Sequence, residues 1–289
     1  MIELPRALQT HISENLSWSV KAFHPASGGC INHGGELVTT EGSYFLKWND
    51  RQRYPHMFEK ESRGLTLLKS ANCINVPKVI HVGEAANLQF IILSFVKSDR
   101  RAKNYWSLLG EQLADLHRNT LTHFGLDHDN YIGSLIQRNA LTENWIDFFV
   151  QHRLEAQLSL AERSGKITSD IRKRFDALYQ RLPGLLPQEM PALLHGDLWS
   201  GNVMVNEMGE PTLIDPAVYY GHREAELAFT QLFGGFEEEF YLAYRNAFPL
   251  IPGFNSRTNL YNLYPLLVHV NLFGGAYLQQ IVNILRKHV

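Results

Sequence analysis

The segment 193–217 reads LLHGDLWSGNVMVNEMGEPTLIDPA, and three of its polar residues stand out: Asp197, Asn202 and Asp215. Strands at 203–205 and 212–214 flank a turn centred on Met208-Gly209. In a hairpin with that centre and no bulge, Asn202 and Asp215 fall opposite one another at the open end of the ribbon. An amide oxygen and a carboxylate held together there are hard oxygen ligands suited to Mg²⁺. Asp197 lies five residues before Asn202, in the loop that enters the ribbon. Phosphoryl transfer needs such a set, because its catalysis is mostly positioning and charge neutralisation, with one carboxylate to orient the attacking hydroxyl. Taken singly, each residue fits an ordinary polar turn. As a set at this spacing they point to Asp197 as catalytic base and to Asn202 and Asp215 as metal ligands.

A nucleotide-binding side is also legible. Lys47 closes the run Ser43-Tyr44-Phe45-Leu46-Lys47, and a strand lysine among aromatics is often only a surface residue whose stem lies along apolar neighbours. Glu61 changes the balance. Phe58, Glu61, Leu65 and Leu68 recur at spacings of three, four and three, so Glu61 sits on the apolar face of a helix. A buried carboxylate without a cation costs several kcal/mol, roughly, and Lys47 is the nearest candidate in sequence; Glu59 is off that stripe. A strand lysine held by a helix glutamate is an arrangement that contacts ATP phosphates. Upstream, Gly28 and Gly29 are adjacent, which lets backbone amides approach a phosphate closely. Ser94, Phe95 and Val96 end the last strand of this region, where a two-lobed kinase has the hinge whose backbone bonds adenine.

These residues need elements to position them. Strand character at 36–40, 43–48, 76–82 and 89–96, with a turn at Glu41-Gly42 and a helix at 57–70, predicts a small sheet with one helix. The remainder is mostly helical. Trp106, Leu109, Leu113 and Leu116 form one apolar stripe, 144–163 and 169–182 read as helices, and the chain from Glu224 onward is rich in helix formers. The predicted fold class is α+β: a β-rich lobe over 1–96 and a larger helical lobe over 97–289, with a ligand site in the cleft between them.

Composition narrows the function. The formal charge of -2 implies no broad basic face and so no nucleic-acid partner. With two cysteines, Cys30 and Cys73, a disulfide-stapled secreted scaffold is excluded. MIELPRALQT has no basic start followed by an apolar core, and the apolar stretch near 88–96 is too short to span a bilayer. The expectation is a soluble cytoplasmic protein with no membrane partner; oligomeric state is not readable.

The chain resembles the fructosamine kinase (ketoamine kinase) family. The resemblance rests on Ala192-Leu193-Leu194-His195-Gly196-Asp197-Leu198-Trp199 followed by Gly201-Asn202, on Ser27-Gly28-Gly29-Cys30-Ile31, and on Asp215-Pro216-Ala217. Tyr220-Gly221-His222 with Glu226-Leu227-Ala228, Phe233-Gly234-Gly235-Phe236, and 110–117 match as well. His195-Gly196-Asp197 stands where protein kinases carry His-Arg-Asp, and Asp215-Pro216-Ala217 where they carry Asp-Phe-Gly. The His-Gly-Asp motif is shared with aminoglycoside and choline kinases, whereas Trp199 and the two Gly-Gly segments are more specific.

The resemblance implies a protein-kinase-like fold, ATP and Mg²⁺ as cofactors, and phosphorylation of the sugar moiety of ketoamines at the third carbon hydroxyl. The substrate would be a small-molecule ketoamine or a glycated protein. It implies Asp197 as base, Asn202 and Asp215 on Mg²⁺, Lys47, Glu61 and the segment of Ser94, Phe95 and Val96 on ATP, and Trp199 against the sugar or its amine substituent. His222 and Glu224 either shape the substrate site or cap a helix. Cys30 is either a small buried residue or a redox-active thiol. Many relatives carry glutamate at the position of Ser94, so a local salt bridge is expected to be missing here. The alternatives are a kinase for another hydroxylated amine and a nucleotide-binding pseudokinase, the latter disfavoured by the presence of Lys47, Asp197, Asn202 and Asp215 together.

Overall fold

The computed structural model describes residues 3–26 and 31–289, so Gly28, Gly29 and Cys30 lie outside the described residues. The chain divides into two compact units. One runs to Lys103 and takes in Met204–Ile214; the other comprises Asn104–Val203 and Asp215–Val289.

The first unit is built on a five-stranded antiparallel sheet of β1 (Val20–Pro25), β2 (His33–Thr39), β3 (Gly42–Asp50), β4 (Val79–Ala85) and β5 (Leu88–Ser94), in the order β1-β2-β3-β5-β4. Its helices are α1 (Arg6–Leu16) and α2 (Met57–Ala71). β1 and α1 are additions to the four strands and one helix expected. α1 has no side-chain cap and buries only Leu8 and Ile12, one turn apart. Those two residues and Leu4 join Leu37, Leu46, Trp48, Phe90 and Ile92 in one core cluster. Tertiary burial, not local signalling, holds this helix.

The β2–β3 register pairs Thr39 with Gly42, so the two turn residues are Thr40 and Glu41 rather than Glu41 and Gly42. Thr39 Oγ1 accepts from the Glu41 amide at 3.1 Å and donates to the Gly42 carbonyl at 3.0 Å. Gly42, which closes the turn, has φ +130°, a conformation that favours glycine. On α2, Phe58, Leu65 and Leu68 are buried, each stabilising the unit by roughly 1.5–3 kcal/mol.

A short hairpin joins Val203–Val205 to Pro211–Leu213. Asn206 builds its turn: the side-chain oxygen accepts from the amides of Met208 at 2.9 Å and Glu210 at 3.0 Å, and its own amide donates to the Glu210 carbonyl at 2.9 Å. The second strand therefore starts one residue earlier than the expected 212–214, and Asn202 and Asp215 lie outside the strands.

In the second unit, helix Tyr105–His117 packs on helix Glu238–Ala247. Gly110 permits the approach, since a Cβ there would stand 2.4 Å from the Phe240 carbonyl oxygen. The single helix expected over 144–163 is three pieces: Trp145–Phe148, a wider π-helical turn Phe149–Leu154, and Glu155–Arg163. The wide turn carries Arg153, fully buried, with its guanidinium 3.9 Å from the Tyr219 ring and a hydrogen bond to Asn139 Oδ1 at 2.8 Å. The helix expected at 169–182 runs on to Leu185 and is capped by Thr168, and four helices complete the chain between Arg223 and His288, beside Glu238–Ala247. Among the described residues no helix is long and apolar enough to cross a membrane.

Candidate active site

The candidate catalytic loop leaves a short strand, Ala192–Leu194, which pairs antiparallel with Tyr219–Gly221. Its shape is imposed from behind by Glu226 on helix Arg223–Leu232. The two carboxylate oxygens of Glu226 accept from consecutive loop amides, His195 N at 3.1 Å and Gly196 N at 2.7 Å. His117 Nε2 lies 2.9 Å from the same carboxylate, and His117 Nδ1 lies 2.8 Å from the Tyr244 hydroxyl. Burial alone would raise the Glu226 carboxyl, but the hydrogen bond from His117, the charges of His117 and His195 and the Gly196 amide hold it below its ordinary value. At Gly196 the backbone has φ +85°, and a Cβ would stand 2.0 Å from the Ala217 carbonyl oxygen. Only glycine fits between His195 and Asp197.

Asp197 is half-buried. Asn202 Nδ2 donates to both the Asp197 carbonyl oxygen, at 2.8 Å, and Oδ2, at 3.0 Å. Two acceptors facing one atom fix the amide's orientation, so the carbonyl oxygen of Asn202 is the end left for a cation. Asp215 is exposed and adopts φ +55°, a left-handed conformation rare outside glycine, although aspartate and asparagine tolerate it best. Burial pushes the Asp197 carboxyl up to about 7; the negative charges of Asp215 and Glu226 add to the rise, and the Asn202 amide opposes it. Asp215 is thus close enough to be felt at Asp197. A cavity of about 30 Å³, little more than one water in size, lies beside Asp197 and is walled by Tyr219, Phe229, Tyr264 and His269.

The donor set fits Mg²⁺. Among the described residues no three or more His, Cys, Asp or Glu side chains converge as a metal cage. Mg²⁺ does not require one, since it commonly binds through one or two protein oxygens together with substrate phosphates and water.

Trp199 is 40% exposed. A Cβ on Gly201 would stand 2.2 to 2.6 Å from its indole ring, so the ring lies over the glycine backbone. Gly235, at φ +92°, approaches Ser200 so closely that a Cβ would meet Ser200 Cβ at 2.6 Å. The Phe233–Phe236 motif therefore abuts the candidate catalytic loop. His222 and Glu224 are placed differently. Both are fully buried; His222 Nδ1 accepts from the Glu224 amide at 3.2 Å and caps the helix. Glu224 is gripped by Arg257 at 2.8 and 2.5 Å. His222 thus sits as a helix cap and Glu224 in an ion pair, both side chains buried.

In the first unit Lys47 Nζ donates to Glu61 Oε1 at 2.7 Å, with both side chains nearly buried. Glu59, off the apolar stripe, meets His56 at the surface instead. The Ser94 hydroxyl oxygen accepts from the Lys78 amide at 2.9 Å, and the Ser94 amide donates to the Lys78 carbonyl at 2.8 Å. Phe95 is exposed and Val96 half-buried, both past the end of β5.

Glu226, His117 and Gly235 are visible in the sequence only as motif residues without a role. Glu226 could have been found by the argument that found Glu61, a carboxylate on the apolar face of a helix. Gly235 could not, because its need for glycine comes from a loop 35 residues away in the chain.

Fold and sequence now identify the class. The aminoglycoside phosphotransferase APH(4)-Ia, in a ternary complex with AMP-PNP and hygromycin B, superposes with a TM-score of 0.68 over 97% of this chain and 98% of that one, at 16% identity. That likeness shows the protein-kinase-like fold. The chain belongs to the fructosamine kinase family, whose family model matches residues 5–289. It is an ATP-dependent phosphotransferase with a hydroxyl acceptor. It is 43% identical over 280 residues to the probable ketoamine kinase of Vibrio parahaemolyticus, covering 95% of this chain and 96% of that one. A crystal structure of a candidate fructosamine-3-kinase from Thermobifida fusca superposes with a TM-score of 0.87 at 30% identity, over 98% of each chain.

Proposed function

We propose that this chain phosphorylates the third carbon hydroxyl of the sugar moiety of ketoamines, small or protein-borne, in the cytoplasm. The observation that carries the reading is the half-buried Asp197, fixed by Asn202 and flanked by an exposed tryptophan lying over Gly201. Asp197 orients the acceptor hydroxyl and takes its proton as the oxygen bonds to the γ-phosphorus. The bond from that phosphorus to the β,γ-bridging oxygen breaks, and ADP leaves. A base with a pKa near 7 suits that task at neutral pH. Asn202 and Asp215 hold Mg²⁺, which when bound neutralises charge on the phosphates. Lys47, steadied by Glu61, contacts the phosphates together with the Gly28-Gly29 amides, and the backbone of Ser94, Phe95 and Val96 bonds adenine. Trp199 packs on the sugar or its amine substituent; a flat apolar ring suits the carbon face of a sugar. In this reading 1–96 is the nucleotide lobe and 97–289 the catalytic lobe, and His222 and Glu224 act by holding helix Arg223–Leu232 in place.

The test is ATP consumption with a panel of fructosamines, ribulosamines, aminoglycosides and choline, with the product's phosphate located by NMR. Turnover is expected for the ketoamines, with phosphate on the third carbon. Turnover restricted to aminoglycosides or choline, or phosphate on another carbon, would overturn the reading.

A further inference from the structure

The hairpin 203–213 falls almost wholly in the unit that carries Lys47 and Glu61, whereas Asn202 and Asp215 at its two ends belong to the other unit. Strands of three residues each do not hold themselves in place. The hairpin's position must come from what it docks on, and the proposed mechanism uses none of those contacts. The Leu213 amide donates to the Asn75 carbonyl at 2.8 Å, and Asn75 and Thr212 form a parallel bridge. The Asn75 side-chain amide donates to Glu210 Oε2 at 3.2 Å and reaches the Pro211 carbonyl at 3.4 Å. At the turn the Ala102 amide donates to the Gly209 carbonyl at 3.0 Å. Gly209 has φ +77°, and a Cβ there would stand 2.7 Å from Ala102 N and 2.8 Å from the Arg100 carbonyl oxygen.

Asn75 lies four residues beyond the end of α2, the helix that presents Glu61 to Lys47. The helix that carries Glu61 thus runs into the segment that meets the hairpin. Mg²⁺ demands near-ideal octahedral geometry, so its affinity depends on how firmly its ligands are held.

We propose that Asn75 is a positioning residue for Mg²⁺-nucleotide binding: its bonds to Glu210 and Pro211, with the Gly209–Ala102 contact, fasten the hairpin whose ends carry Asn202 and Asp215 to the body that carries Lys47 and Glu61. The proposal rests on the reading of Asn202 and Asp215 as Mg²⁺ ligands but not on the identity of the acceptor.

ATP binding to the full chain, measured by calorimetry in Mg²⁺ and again in EDTA without acceptor, tests it. Asn75→Asp keeps the shape but removes the donor and sets a carboxylate against Glu210. It is expected to lower affinity about tenfold in Mg²⁺, the effect of one hydrogen bond to a charged group, and to leave affinity in EDTA unchanged. Glu210→Gln retains an acceptor and stays near wild type. Asn75→Asp with Glu210→Gln restores the bond in the reverse direction and recovers most of the loss, which a general loss of stability would not allow. Asn75→Ser, which removes the side-chain contacts without adding charge, serves if Asn75→Asp does not fold. Equal losses in Mg²⁺ and EDTA, an undiminished Mg²⁺ increment, no recovery in the double variant, or no Mg²⁺ increment in wild type would each overturn the proposal. Failure of every ketoamine as acceptor, with the Mg²⁺ increment intact, would sink the substrate reading alone.

Discussion

At Asp197 the requirements of the proposed catalysis and of folding oppose each other. Its folded pKa of about 7 stands above the ordinary 3.8, so the folded protein binds this proton more tightly than the unfolded chain does. The stability contributed by the protonated carboxyl is full below about pH 4, is lost as pH rises, and is gone above 7. Asp197→Asn cannot ionise. Without nucleotide or Mg²⁺ it is expected to be more resistant to urea than wild type at pH 8, and the gap should narrow steadily as pH falls from 7 to 4. The same variant should lose roughly 10²- to 10⁴-fold in turnover, the usual worth of a general base. Urea midpoints at several pH values and steady-state kinetics check the two halves independently. A gap that does not vary with pH would show that the carboxyl is not held up by burial, and full turnover would remove Asp197 from the mechanism.

The next scale is the element, here a loop gripped by a helix. Glu226 accepts from two loop amides while facing His117, an arrangement a neutral amide cannot reproduce, since glutamine has one acceptor oxygen and its NH₂ would face a donor. Glu226→Gln is expected to destabilise the fold by about 1–3 kcal/mol, the cost of one buried donor left unsatisfied, and to lower kcat more than KM because the loop it holds carries Asp197. Chemical denaturation and kinetics read both; an unchanged kcat would show that the clamp is not needed. This scale also marks how far the sequence could be read. Lys47 with Glu61 was legible because a carboxylate on an apolar stripe requires a cation, and α2 was placed to within one residue because its pattern is local. α1 was not, because Leu8 and Ile12 are too few to signal a helix before the sheet they pack on exists. The break at 149–154 is hidden for the reverse reason: its apolar pattern reads as one helix, and the wider turn, which carries the Arg153 seated against Tyr219, shows only in three dimensions. Gly196, Gly201 and Gly235 could be seen as motif residues, but what each one makes room for is a long-range or side-chain contact.

For the whole molecule, the proposed roles separate into those that bind nucleotide and those that bind acceptor, and ligand linkage can tell them apart without turnover. A ligand that binds only the folded state stabilises by about 2.7 kcal/mol when present at 100 times its Kd. For a chain of this size each kcal/mol moves Tm by about 2 °C, so saturating Mg²⁺-ATP should raise Tm by about 5 °C. Lys47→Ala removes the 2.7 Å ion pair with Glu61 and, in the proposed reading, a phosphate contact. Its own Tm should fall, and the increment from Mg²⁺-ATP should shrink to about 1 °C. Trp199→Ala should keep the full nucleotide increment, because the indole lies over Gly201 and has no proposed part in ATP binding. It should instead lose the further increment that a ketoamine gives the wild type. Thermal melts of the three proteins, each alone, with Mg²⁺-ATP and with ketoamine, measure all of this. An undiminished nucleotide increment in Lys47→Ala would remove the lysine pair from the ATP site, and an undiminished ketoamine increment in Trp199→Ala would remove the tryptophan from substrate recognition. The reciprocal pattern would tie the two sets of residues to the two substrates of one transfer reaction.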